Sequence, residues 1–251
     1  MFSLEGKTAL ITGSSRGLGL IIAQGLGKAG AKIILNGRNK ESLVKARKIC
    51  IRKGITVDYA VFDVSDEVQI RNGITRIESE SGGIDILVNN AGIHQRKPLA
   101  DMTLEEWKSV LDINLTGAFL TTREVVQGMI KRRKGKIINI CSLMSEVGRE
   151  TTGNYTASKG GLKMLTKAMT VEWAKFNIQI NGIGPGYFLT ELTKPLAENP
   201  EFDSWLKKRT PAGRWGNPEE LVGTAVFLAS EASNFINGQI IYVDGGFLAS
   251  V

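Results

Sequence analysis

Tyr155 and Lys159 stand four residues apart, a spacing that puts two side chains on one face of a helix. A phenol ordinarily ionises near pH ~10, and an ammonium beside it favours the phenolate. Such a pair could pass a proton to or from the oxygen of an alcohol or ketone near neutral pH. Ser142, at the end of a short apolar run, could hydrogen-bond the same oxygen. Each signal alone is weak. A helix can hold Tyr-x-x-x-Lys by chance, and a serine at a strand end usually caps the next segment.

A second set of residues could hold an anion. Thr12-Gly13-Ser14-Ser15-Arg16-Gly17-Leu18-Gly19 follows the first apolar run and opens a helical pattern. Glycine allows the tight turn and a close approach of backbone to a pyrophosphate. The helix N-terminus adds free N–H groups and a partial positive charge. The second run ends Leu35-Asn36-Gly37-Arg38-Asn39, where NAD-selective sites carry an acid about 20 residues past the turn. No acid stands there. Arg38, with Arg16 inside the turn, would pair with a 2′-phosphate that a carboxylate would repel. The expected cofactor is therefore NADP rather than NAD.

These residues need a scaffold, and the chain supplies a regular alternation. Short β-branched runs over 8–12, 32–35, 56–62, 84–89, 136–141, 178–183 and 239–243 alternate with helical stretches such as 18–29, 41–53 and 155–175. Several runs are almost continuously apolar, as strands buried on both faces should be. The expected fold is α/β: a doubly wound, parallel, seven-stranded sheet of Rossmann type, in one domain over residues 1–251. Residues 187–217 interrupt the alternation and are too long for an ordinary connection, which marks a candidate lid or substrate loop.

Composition narrows the chemistry. The chain has 251 residues, 42% hydrophobic and 23% charged, which argues against disorder and against a coiled coil. No apolar run reaches the ~18 residues of a membrane helix, and no signal peptide is visible. Two cysteines, Cys50 and Cys141, cannot build a disulfide framework, which fits a reducing cytoplasm. One histidine, His94, excludes zinc sites with two or more His ligands, so no metal is expected. A Ser-His-Asp hydrolase would have to rely on His94 alone. The net charge is +7, and the segment Lys131-Arg132-Arg133-Lys134-Gly135-Lys136 holds five of the cations. It reads as a solvated helix end before the fifth strand, where cations are favoured. With 7% aromatic residues and one dense basic run, a nucleic-acid partner is not expected.

Taken together, Thr12-Gly13-x-x-x-Gly17-x-Gly19, Asn89-Asn90-Ala91-Gly92, Asn114, Ser142, Tyr155-x-x-x-Lys159, Pro185-Gly186-x-x-x-Thr190 and Val243-Asp244-Gly245-Gly246 resemble the short-chain dehydrogenases/reductases in order and spacing. The resemblance covers essentially the whole chain. It implies hydride transfer between nicotinamide C4 and a carbonyl carbon, with Tyr155 as general acid in reduction and Ser142 positioning the carbonyl. Lys159 would tune Tyr155 and bond the nicotinamide ribose, and Asn114 would hold a water of a proton relay. Gly13, Ser15, Arg16, Leu18 and Gly19 would line the phosphate and adenosine region. Asp63 and Val64 would border the adenine, and Asn90, Ala91 and Gly92 the ribose. Pro185, Gly186, Phe188 and Thr190 would flank the nicotinamide and pyrophosphate. The family also implies a homotetramer.

Within that family, the loops Ala91-Gly92-Ile93-His94-Gln95-Arg96-Lys97-Pro98, Ile138–Arg149, Asn181–Phe188 and Lys208–Gly216 resemble the gluconate 5-dehydrogenases, which implies a sugar acid or its ketone as substrate. A permanent carboxylate needs a cation. Arg96 or Arg149, following the fourth and fifth strands, could clamp it bidentately. His94 reads as a structural histidine more than as a contact to a hydroxyl, and Phe188, Trp205 and Trp215 as packing for the insert. Two alternatives stay open: a 3-oxoacyl-[acyl-carrier-protein] reductase with the same catalytic residues, and a non-catalytic NADP-binding regulator.

Overall fold

The computed structural model describes residues 1–191 and 193–250. Seven strands among them form one parallel sheet in the order β3-β2-β1-β4-β5-β6-β7. The strands are β1 (Thr8–Ile11), β2 (Lys32–Gly37), β3 (Val57–Val61), β4 (Ile86–Asn89), β5 (Gly135–Ile140), β6 (Ile178–Pro185) and β7 (Ile240–Val243). The expected runs are thus found within a residue or two at most ends, the ordinary uncertainty of an element boundary. The order reverses between β1 and β4, which opens a crevice at the carboxyl ends of those two strands.

The central strands β1, β2, β4, β5 and β6 are buried on both faces, as their apolar residues require, and the edge strands β3 and β7 are partly exposed. Along β1, Ala9 and Ile11 enter one core and Leu10 the other. The first core lies under α1 (Gly17–Lys28), α2 (Lys40–Arg52) and α9 (Val222–Ala229). The second lies under α3 (Glu67–Ser81), α5 (Gly117–Arg132) and α6 (Gly153–Trp173). The helix starts carry their own signals. Asn39 accepts from the Ser42 N–H at α2, and Asp66 accepts from the Val68 and Gln69 N–H groups at α3. Thr103 and Glu106 form a reciprocal capping pair at α4 (Leu104–Leu111), where each bond satisfies a donor that the first helical turn leaves free.

Two elements depart from regular alternation. Between α4 and α5 the chain runs through a π-helical turn, Asp112–Thr116, which places Asn114 in the interior. The long insert is not an open loop. It holds α7 (Lys194–Ala197) and α8 (Pro200–Arg209), the latter started by Asn199 and Pro200. The Lys131–Lys136 segment is the end of α5, closed by Arg133 in the left-handed conformation (φ 50°), and the start of β5. Among the described residues no helix is long and apolar enough to cross a membrane.

Candidate active site

The crevice at the strand ends is a cleft of about 620 Å³, within the size range of small-molecule sites. Its first wall is the turn after β1. Gly13 and Gly17 have φ of +61° and +58°, a region that side chains other than glycine rarely occupy. A Cβ on Gly13 would lie 2.7 Å from the Ala91 Cα, and one on Gly19 would lie 2.4 Å from the Asn90 Nδ2. The turn therefore sits flush against the loop after β4, and Gly17, Leu18 and Gly19 at the start of α1 line the cleft.

Buried polar side chains hold that turn. The Ser14 hydroxyl donates to the Ile11 carbonyl and accepts from the Asn36 N–H. The Asn36 amide donates to the carbonyls of Ala60 and Phe62. Together they tie the ends of β1, β2 and β3. Thr12 Oγ1 accepts from the N–H groups of Asn90 and Ala91, and the Asn90 amide donates to the carbonyls of Thr12 and Gly13. Asn90 thus lines the cleft but spends its amide donors bracing the turn. Neither Ser14 nor Asn36 was singled out from the sequence. A serine or asparagine fully buried at a strand end is the available signal, and burial is not readable from one position.

Every expected cofactor-binding residue lines this one cleft: Gly13, Ser15, Arg16, Leu18, Gly19 and Arg38 at one end; Asp63, Val64, Asn90, Ala91 and Gly92 along it; and Pro185, Gly186, Phe188 and Thr190 with Tyr155 and Lys159 at the other. The Arg38 side chain is 66% exposed and lies 3.5 Å from Asp63. Desolvation works against the Asp63 carboxylate, but the Ser65 N–H and hydroxyl and the Arg38 guanidinium hold it below the usual range. So open an ion pair is worth little, and the guanidinium can turn to another anion.

At the other end, Ser142 closes β5 and caps a short 3-10 turn, its Oγ accepting from the Met144 N–H at 3.2 Å. Its own hydroxyl proton therefore stays free to donate. Tyr155 and Lys159 both sit on α6, as their spacing requires. Lys159 is 4% exposed. Its Nζ donates to the Ile140 carbonyl at 2.6 Å and lies 5.6 Å from the Tyr155 ring centroid. Among the described residues no acid lies within 4 Å of the Lys159 ammonium. Asn114 is placed differently from the rest. It does not border the cleft; its Nδ2 donates to the Ile93 carbonyl and the Ser158 hydroxyl, and its Oδ1 accepts from the Ile93 N–H. Its side chain clamps the loop after β4 to α6.

That loop brings His94 into the cleft, its ring 4.4 Å from that of Tyr155. Burial, then the guanidiniums of Arg96 and Arg149, push the imidazole down to about 4. Arg96 is itself lowered by desolvation and by Arg149. Arg149 donates to the Tyr187 hydroxyl at 3.2 Å and stacks over Phe202 and Trp205, 4.5 and 5.5 Å from their centroids. The two arginines flank the cleft behind His94 rather than lining it, and neither has a carboxylate within 4 Å among the described residues. Phe202 and Trp205 of α8 pack ring against ring with Tyr187, Trp215 and Phe247, the packing expected of Trp205 and Trp215, whereas Phe188 borders the cleft. Trp215 also donates its indole N–H to Asp203 at 2.8 Å.

Other chemistries find little support here. Cys141 borders the cleft, but burial pushes its thiol up to about 11, so it stays protonated and unreactive. Among the described residues no three His, Cys, Asp or Glu side chains cluster as a metal would need.

Comparison with known proteins agrees with this geometry. A family model described as enoyl-(acyl carrier protein) reductase matches residues 13–248. The 5-keto-D-gluconate 5-reductase of Escherichia coli (strain K12) is 50% identical, covering 100% of this chain and 99% of that protein. The 2-dehydro-3-deoxy-D-gluconate 5-dehydrogenase of Formosa agariphila is 48% identical over 100% of this chain and 96% of its own. The crystal structure of a gluconate 5-dehydrogenase from Burkholderia cenocepacia J2315 in complex with NADP and tartrate superposes with a TM-score of 0.96 at 50% identity, covering 100% and 98% of the two chains.

Proposed function

The chain belongs to the short-chain dehydrogenase/reductase family, and we propose that it is an NADP-dependent oxidoreductase that interconverts D-gluconate and 5-keto-D-gluconate. One observation carries the reading. Ser142, Tyr155 and Lys159 meet at one end of the cleft, and beyond His94 stand two guanidiniums with no carboxylate within 4 Å among the described residues. A ketone bearing a carboxylate fits that pairing of a proton donor with unpaired cations. Two relatives are named for 5-keto-D-gluconate and 2-dehydro-3-deoxy-D-gluconate, and the Burkholderia gluconate 5-dehydrogenase was solved with a hydroxy acid, tartrate.

The residues present fit a dinucleotide. The glycine turn leaves no room for a Cβ at Gly13 or Gly19 and presents a helix N-terminus, the arrangement that takes a pyrophosphate. Arg16 and Arg38 would hold the 2′-phosphate. Lys159 has two ammonium donors left after Ile140 and would bond the nicotinamide ribose. The bound cofactor supplies the hydride. The protein's own share is orientation and the proton. Tyr155 gives its hydroxyl proton to the carbonyl oxygen in reduction and takes it back in oxidation, and the free Ser142 hydroxyl proton holds that oxygen in place. A relay from Lys159 past Asn114 to solvent resupplies the proton. It uses groups other than the Asn114 amide N–H pair, since both are spent. On the family likeness the enzyme works as a homotetramer, and its two cysteines, too few for a disulfide framework, fit the cytoplasm.

The reading as a 3-oxoacyl-[acyl-carrier-protein] reductase would keep the same catalytic residues but needs a basic dock for an acidic carrier near the cleft. The Lys131–Lys136 run lies at the opening of β5, and the cleft lies at the end of its six residues, roughly 17 Å away at ~3.3 Å per residue. NADPH consumption with 5-keto-D-gluconate beside an acetoacetyl thioester separates the two readings.

A further inference from the structure

His94 is the single histidine of the chain and plays no part in the proton transfer assigned above. Its ring packs on Tyr155, centroids 4.4 Å and planes 33° apart, and borders the cleft. Its Nε2 is buried and has no hydrogen-bond partner within the protein. Buried polar atoms are as a rule paired, because leaving one unpaired is costly. Among the described residues three other side-chain atoms share this condition, on Glu78, Asn89 and Thr121, and none of those residues borders the cleft. Burial and the neighbouring Arg96 and Arg149 also keep the imidazole uncharged near neutral pH. A neutral ring offers one N–H donor and one acceptor nitrogen.

The position has a consequence for an acid held as proposed. With its ketone at Tyr155 and its carboxylate toward Arg96 and Arg149, the carbons between them pass His94. We propose that His94 hydrogen-bonds a substrate hydroxyl lying between the reacting carbon and the carboxylate, and so sets a preference for a fully hydroxylated hexonate over a deoxy one. This inference rests on the sugar-acid reading. It bears on a distinction that the relatives display, since one acts on 5-keto-gluconate and another on a 3-deoxy acid. A site built to bond a hydroxyl rejects the analogue that lacks it, because its own polar group is then left unpaired.

The test compares the wild type, His94→Gln and His94→Leu in NADP reduction with D-gluconate and its 2-, 3- and 4-deoxy analogues. The wild type should favour gluconate over one analogue by at least tenfold in kcat/KM. His94→Leu should erase that preference, mainly by raising KM for gluconate, and leave the weak analogue within twofold. His94→Gln, which keeps a donor and an acceptor, should restore most of it. An equal loss on all four acids, the mark of a merely structural ring, overturns the inference, as does a preference unchanged in His94→Leu. A wild type inactive on gluconate and on 5-keto-D-gluconate overturns the sugar-acid reading as well. Wild-type protein with ¹⁵N-labelled histidine gives a readout free of folding defects, since only one imidazole can report. In the presence of NADPH, gluconate should move its Nε2 resonance and the discriminated deoxy acid should not; an unmoved resonance with gluconate overturns the inference.

Discussion

The Lys159 ammonium donates to the Ile140 carbonyl at 2.6 Å, which fixes α6 of the Tyr-x-x-x-Lys pair to the last residue of β5, two positions before Ser142. One bond thus sets the geometry between the proton donor and the residue that holds the carbonyl. It also divides the expected effects of substitution. Tyr155→Phe keeps the ring against His94 and removes only the hydroxyl. It should lower kcat by ~10²–10⁴ while NADPH binds within a fewfold of wild type. Lys159→Met should lose activity as well, and in addition leave a buried carbonyl unpaired, at a cost of about 1–3 kcal/mol. Steady-state kinetics with NADPH titration and chemical denaturation check both. A Tyr155→Phe enzyme with near-normal kcat would remove Tyr155 from the proton step.

Arg38 is exposed and only loosely paired with Asp63, so its removal should cost the fold little. Arg38→Ala should weaken NADPH binding by roughly 10–100-fold, the worth of ~1.5–3 kcal/mol for a charge-assisted contact. NADH binding should change less than threefold. Fluorescence titration with the two reduced cofactors gives the ratio. Equal weakening of both would mean that Arg38 does not read the 2′-phosphate.

Burial and the Arg149 guanidinium both work against the Arg96 charge, and among the described residues no acid lies within 4 Å of either arginine, a cost that a substrate carboxylate would relieve. Arg96→Ala and Arg149→Ala should each raise KM for 5-keto-D-gluconate by about 10-fold or more and change KM for a neutral ketone less than threefold. Arg149 also stacks on Phe202 and Trp205, so Arg149→Lys should recover part of the loss. KM values that rise alike for charged and neutral ketones would end the carboxylate-clamp account.

His94 makes stability depend on pH in a definite direction. The unfolded chain binds a proton on this ring near pH ~6.5, the folded chain only near about 4, because of burial and of Arg96 and Arg149. Tyr155, the ring packed against it, offers no negative charge while protonated. The stabilisation is therefore full above pH ~6.5 and is lost progressively as pH falls toward 4. After discounting for the ring's partial exposure it amounts to about 2 kcal/mol. Thermal melts from pH 7 to 4.5 should show a steeper loss for the wild type than for His94→Gln, and parallel curves would show that the ring already titrates normally.

Much of this was legible in the sequence because it rests on local rules. The apolar runs had to be buried strands, the glycines after β1 had to turn, and the four-residue spacing of Tyr155 and Lys159 had to share a face. What escaped reading depends on contacts between distant residues. Nothing local announces that Ser14 and Asn36 tie three strand ends together, or that a π-turn at 112–116 carries Asn114 behind the cleft. The insert read as a loop because α8 is polar on much of its surface and its aromatics meet Arg149 only in the fold. His94 reads as structural because its neighbours in sequence say nothing of Tyr155, 61 positions along the chain, whose ring lies 4.4 Å away.

The central claim, a tyrosine-dependent NADP oxidoreductase for a keto sugar acid, is tested most directly by initial rates of NADPH oxidation. Wild type and Tyr155→Phe would be given 5-keto-D-gluconate and, separately, an acetoacetyl thioester. We predict rapid NADPH loss with 5-keto-D-gluconate that Tyr155→Phe abolishes, D-gluconate as the product, and kcat/KM for the thioester lower by at least tenfold. Turnover of the thioester in preference to the keto acid, or none with either, would contradict the account.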